Sequence, residues 1–203
     1  MAVTGAIMFG FVLGHMLGNL QAFLGREQLD HYAVLLRTVP ELLWVVRAVL
    51  LISVILHIVA SLQLKKTQMD ARPIGYVKRK PVGSSIASRT MIWSGVVIAL
   101  FIPYHLMHFT LGVPGIHPSF QELKPYENLV AGFRVIPVAL FYVVAMILLS
   151  THLYHGVWSM FQTLGANNAS FSPKLRLFAK VFAVVVTLGF ISLPIAVMAG
   201  LLT

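Results

Sequence analysis

The chain has 203 residues, of which 58% are hydrophobic and 10% charged, and it carries a formal net charge of +9. So apolar a chain cannot present the broad wet surface of a basic nucleic-acid-binding domain, so nucleic acid is excluded as a partner and membrane lipid takes its place. The absence of cysteine removes disulfides, thiolate metal centres, cysteine-ligated iron–sulfur clusters and thiol nucleophiles together.

Five apolar stretches, 4–24, 41–64, 90–112, 129–164 and 175–201, are long enough to cross a hydrocarbon core of ~30 Å at ~1.5 Å per helical residue. They predict an all-α integral membrane protein with a single membrane domain covering residues 1–203. The first stretch has no basic segment before it and no small-residue cleavage site after it, so it reads as a retained helix rather than a signal peptide. The second is followed by Lys65, Lys66, Arg72, Lys78, Arg79, Lys80 and Arg89, opposed only by Asp70. That loop is predicted to be cytoplasmic, and with it the amino terminus; Lys174, Arg176 and Lys180 lie on the same side. The opposite loops mix Arg26, Arg37 and Lys124 with Glu27, Asp30, Glu122 and Glu127 and carry no basic excess. The fourth stretch is longer than a crossing requires and is expected to tilt or to extend beyond the bilayer. Pro103, Pro137 and Pro194 fall inside spans, where neighbouring helices can satisfy the carbonyls they free.

Histidine is where the spans depart from plain apolarity, since a buried imidazole is costly unless something holds it. The first span carries His15, the second His57, the third His105 and His108, and the fourth His152 and His155. Counting residues from the cytoplasmic side groups them by depth: His57 with His152 near that side, and His15 with His105 in the middle and outer half. Two imidazoles facing one another across a helical bundle are the ligand set of a b-type haem, which then shuttles single electrons with no open coordination position. Taken singly, each histidine is explained as well by a hydrogen bond to a neighbouring helix. A di-iron centre would require a glutamate beside each histidine, and no span has an acidic residue in its interior; zinc would require a third ligand. A proton-relaying transporter usually keeps an intramembrane carboxylate.

Gly10, Gly14 and Gly18 form a stripe beside His15, which suits either a close helix contact or a flat macrocycle lying on the backbone. Gly95 and Gly156 suit the latter role as well. Arg47 stands about ten residues, ~15 Å of helix, before His57. It is a candidate partner for a haem propionate or a side chain that snorkels to the headgroups.

The segment HLYHGVWSMFQTLG resembles the haem-ligating pattern of the cytochrome b membrane subunit of succinate:quinone oxidoreductases, in its five-helix, single-chain, di-haem form. A ligand at His152 followed by Gly156 and Gly165 carries the likeness. SGVVIALFIPYHLMHFTLG resembles the third-helix segment of that family, in which the first histidine is the ligand, so His105 is selected over His108. LLISVILHIVASLQL and FGFVLGHMLGNL are similar to the segments that supply His57 and His15. The resemblance implies two haem b groups, one on His57 and His152 and an outer one on His15 and His105, with helices one to four around them and the fifth outside. It implies a flavoprotein subunit and an iron–sulfur subunit as partners, a bacterial cytoplasmic membrane, and electrons passed from succinate to quinone, menaquinone above others. SIASRT resembles a Ser-x-x-x-Arg motif that borders quinone in mitochondrial-type relatives, which marks Ser85 and Arg89; a helix cap and a positive-inside charge explain the two residues equally well. Relatives that reduce fumarate carry Glu two residues before the fourth-helix ligand, where this chain has Ser150, and the difference favours succinate oxidation. An anchor run in the fumarate-reducing direction and a haem-free anchor or small transporter are the other readings.

Overall fold

The computed structural model describes residues 1–71 and 85–203. Arg72, Lys78, Arg79 and Lys80, on which much of the expectation of a cytoplasmic loop rests, lie outside the described residues. Among the described residues seven α-helices form: α1 (Ala2–Leu20), α2 (Arg26–Leu35), α3 (Pro40–Asp70), α4 (Ile86–Phe109), α5 (Pro125–Arg134), α6 (Ile136–Thr163) and α7 (Ser172–Met198). Five of them, α1 with the 3₁₀ turn that prolongs it to Leu24, α3, α4, α6 and α7, are long and apolar enough to cross a membrane. No strand occurs among the described residues, and the protein is an all-α, multi-pass membrane protein.

Three local features differ from the sequence expectation. The stretch 129–164 is two helices, because Val135 adopts φ −79° and ψ 94° between α5 and α6. Pro137 explains the break: its ring would clash with the Phe133 carbonyl if one helix ran through. The membrane-crossing segment therefore starts at Ile136, and α5, with Glu127, Asn128 and Arg134, sits beyond it. The loop after the first span contains a helix, α2, which folds because Leu29 is buried on one face while Arg26, Glu27 and Gln28 stay exposed. Finally, α3 runs on through Lys65 and Lys66 to Asp70; 31 residues at ~1.5 Å each exceed the bilayer core, so its last turns stand clear of it.

Helices α6 and α7 make the most extensive contact, α4 lies along α6, and α1 packs against α3, α6 and α7. The main packing of α3 is on α1, and Ser53 is its one buried residue. At the end where α2 and α5 lie, Asp30 accepts the Tyr126 backbone N–H at 3.2 Å and pairs with Lys124 at 3.4 Å, so α2 caps the first turn of α5. Arg26–Glu127 at 3.0 Å and Arg37–Glu122 at 3.5 Å complete a balanced set of charges there. The other end, where α1 begins and α6 ends, carries Lys65, Lys66, Arg89, Lys174 and Arg176, with Asp70 the acid among them.

Candidate functional site

The histidines meet in two groups at two levels of the bundle. His57 of α3 and His152 of α6 have ring centres 6.4 Å apart. His15 of α1 and His105 of α4 lie 5.8 Å apart, edge to face. A metal about 2 Å from an imidazole nitrogen on either side would set two rings about 6 Å apart, so each pair has the spacing of two axial ligands. No three His, Asp or Glu side chains among the described residues converge as a metal site. Each pair thus offers two donors only, which suits an ion that brings its remaining ligands with it.

Hydroxyl groups on neighbouring helices fix how His57 and His152 present themselves. Thr4 donates its hydroxyl proton to the Met1 carbonyl at 2.9 Å, so its oxygen is left to accept from His57 Nδ1 at 3.1 Å. Ser94 donates to the Met91 carbonyl at 3.0 Å and in the same way accepts from His152 Nδ1 at 3.2 Å. Both imidazoles are therefore Nδ1–H tautomers with the Nε2 lone pair free, as a metal ligand requires. Beside each hydroxyl stands a glycine that borders the ring: a Cβ on Gly5 would make ordinary contact with His57 Cε1 at 3.8 Å, and one on Gly95 with His152 Cε1 at 3.5 Å.

The second pair is set among aromatic rings. Phe11 stacks on His15 at 5.2 Å and 12°, and Phe101 on His105 at 5.7 Å and 25°. Asn19 holds the His15 carbonyl at 2.7 Å and lies 3.3 Å from its Nδ1. Tyr142 hydroxyl is 3.4 Å from His105 Nδ1. Along α1, a Cβ on Gly10 or Gly14 would meet no atom within 4 Å, whereas one on Gly18 would lie 2.8 Å from the Tyr32 ring. The stripe divides accordingly: Gly18 makes a close helix contact, and Gly10 and Gly14 border open space beside His15. The two imidazole pairs, the free Nε2 lone pairs of His57 and His152 and the uncovered Gly10 and Gly14 together fit a flat macrocyclic group with an axial ligand on each face.

Residues 75–190, more than half the chain, match the family described as succinate dehydrogenase/fumarate reductase transmembrane subunit. The chain belongs to this family. It is a membrane subunit of an oxidoreductase complex, made to assemble with the other subunits of that complex. The match takes in α4, α5 and α6 whole, and α7 as far as Phe190, and so includes His105 and His152, while His15 and His57 precede it. No curated protein and no solved structure matches this membrane subunit.

The remaining sequence candidates of the anchor fall at its two ends. Arg47 stacks over Trp44 at 5.0 Å and, with Arg37, Leu43 and Glu122, lines a surface pocket on the α2 and α5 side. Ser85 is the N-cap of α4, its oxygen accepting the Ser88 backbone N–H at 3.1 Å. Arg89 is exposed one turn on. Ser150 lies 3.4 Å from the Ala183 carbonyl of α7. His155 is half-buried. His108 is separate from both pairs: it is wholly buried, 3.0 Å from the Tyr142 hydroxyl, and its ring centre is 5.0 Å from that of His117.

His117, Thr4, Ser94 and Tyr142 escaped the reading of the sequence. His117 lies in a loop rather than a span, and both its nitrogens are occupied, by the Asn128 carbonyl at 2.9 Å and the Ser119 N–H at 3.2 Å. Thr4 and Ser94 do carry a signal, because each immediately precedes a glycine, Thr4–Gly5 and Ser94–Gly95. One residue of each step accepts from the imidazole and the next lies beside it.

Proposed function

We propose that the chain is the di-haem cytochrome b anchor of a succinate dehydrogenase. The observation that carries this reading is the pair of imidazoles at each of two levels, with the proton of His57 and of His152 held on Nδ1 by a hydroxyl of another helix. His57 and His152 are the axial ligands of one haem b, and His15 and His105 those of the second. When bound, the two groups supply single-electron transfer between the iron–sulfur subunit and a membrane quinone, menaquinone on the family resemblance.

The chain's own residues position, insulate and dock. Thr4 and Ser94 orient the first pair of rings, and Phe11 and Phe101 keep water from the second. Arg47 stands on α3 at about the level of His15 and serves as an anion partner for a propionate. Ser85, whose oxygen caps α4, borders the quinone with Arg89 at the basic end. That end is cytoplasmic and receives the flavoprotein and iron–sulfur subunits in a bacterial cytoplasmic membrane. Ser150 stands where fumarate-reducing relatives carry a carboxylate, which favours the succinate-oxidising direction.

The test is a pyridine haemochrome count and a reduced-minus-oxidised spectrum on the purified complex. Two haems per chain and copurifying flavin support the reading, and no haem overturns it. A second measurement addresses the supporting hydroxyls. Ser94→Val removes the acceptor from His152 Nδ1 while keeping most of the volume. It is expected to speed transfer of one of the two haems to a scavenging apoprotein, by roughly the 10- to 100-fold typical of lost outer-shell partners. Unchanged transfer would show that the hydroxyl does not hold the ring.

A further inference from the structure

One buried group remains unexplained by the anchor's electron-transfer role. His108 is fully buried, and its Nε2 has no hydrogen-bond partner. A Cβ on Gly132 would lie 2.9 Å from that nitrogen, so the ring is pressed against the α5 backbone with no room for a water beside it. An imidazole in such a place is costly where a leucine would pack freely, so its other nitrogen should have a use. That nitrogen, Nδ1, is 3.0 Å from the Tyr142 hydroxyl, which on its other side is 3.4 Å from Nδ1 of His105.

A tyrosine hydroxyl has one proton, so it donates to one of these nitrogens and accepts from the other. Either direction would be possible if neither histidine had another task. We propose that Tyr142 is the positioning residue for His105, accepting its Nδ1–H and donating its own proton to His108 Nδ1. This rests on the assignment of His105 as an axial ligand, which requires the proton on Nδ1 and the lone pair on Nε2. The shorter of the two distances is the one to His108, as expected for the bond that Tyr142 donates. His108 is the acceptor that directs the tyrosine's proton away from the ligand, and its own proton resides on the unpartnered Nε2. The arrangement answers the Thr4 and Ser94 bonds of the other pair, where a main-chain carbonyl takes the hydroxyl proton. Among the described residues the Tyr142 hydroxyl meets the two imidazoles and no main-chain carbonyl, so a side chain takes that place.

Donation from Nδ1–H to oxygen makes an imidazole a stronger electron donor, and that favours the oxidised metal. The experiment is an optical redox titration of the assembled complex, which resolves the haems as separate one-electron components. Tyr142→Phe keeps the ring and removes the hydroxyl. It should retain two haems and raise the midpoint of one component by up to about tenfold in the reduction equilibrium, or about 59 mV for one electron, leaving the other in place. His108→Leu should move the same component the same way. His108→Asn, whose amide oxygen can stand near the lost Nδ1, should restore it toward the original value. Two haems with neither midpoint moved in Tyr142→Phe would overturn the proposal, as would equal movement of both, which marks a general loosening. Should Tyr142→Phe fail to assemble, an unmoved His108→Leu overturns it alone. Fewer than two haems in the unaltered complex would instead remove the assignment on which the proposal rests.

Discussion

On the proposed di-haem reading, the unaltered complex is expected to hold two haems per chain, His152→Ala to leave one, and His155→Ala to leave both. The two residues share a helix and lie within a turn of each other, but the surrounding structure treats them differently. His152 has its Nδ1 fixed by Ser94 at 3.2 Å, has Gly95 beside it, and faces His57 at 6.4 Å. His155 faces no second imidazole within the distances that define either pair. The same contrast holds on α4, where His105 faces His15 while His108 is enclosed by Tyr142, His117 and Phe109. His15→Ala, His57→Ala and His105→Ala should each cost one haem, because a low-spin group with one axial bond lost in an apolar site is held far more weakly. His108→Asn should cost none. A haem count of two in His152→Ala, or of one in His155→Ala, would refute the pairing.

The second large effect is expected at Gly132, where no haem contact is involved. A Cβ there would lie 2.8 Å from His108 Cε1, 2.9 Å from His108 Nε2 and 3.2 Å from Phe109 Cε1. None of these atoms can yield easily, because the His108 ring is tied to Tyr142 and pressed on Phe109 at a centre distance of 4.1 Å. Gly132→Ala should therefore lose the gain that alanine normally brings to a helix and destabilise by about 1–3 kcal/mol through overpacking. The readout is the thermal unfolding midpoint in detergent, which should fall. Gly10→Ala is the comparison, since a Cβ there meets nothing within 4 Å, and it should keep or raise the midpoint. Equal midpoints for Gly132→Ala and the unaltered chain would show that α5 can shift away from α4.

Much of this was legible in the sequence because a helix rises by a constant step. Depth follows from counting, so His57 and His152 fall at one level and His15 and His105 at another before any coordinates exist, and those are the rings that meet. The five crossings are legible for the same reason, since length and apolarity together leave little choice. The tautomers were not legible. Thr4 reaches a histidine 53 positions away and Ser94 one 58 positions away, and no local pattern states which helices will be neighbours. Pro137 could be read as a kink inside a crossing or as a boundary, and the choice was settled by the polar residues of α5 finding partners on α2. Tyr142 carried no signal, because one hydroxyl in an apolar run does not reveal what lies across the interface.

The anchoring of α3 has a consequence for assembly. Its one buried residue is Ser53, against nine in α7, and its main packing is on α1. A group clamped between His57 of α3 and His152 of α6 would also be the tie that fastens α3 to the far side of the bundle. Free energy of binding would then appear as free energy of folding for that helix. The empty and loaded chains are in that case different folding problems, and delivery of the prosthetic group becomes a step in the protein's own maturation.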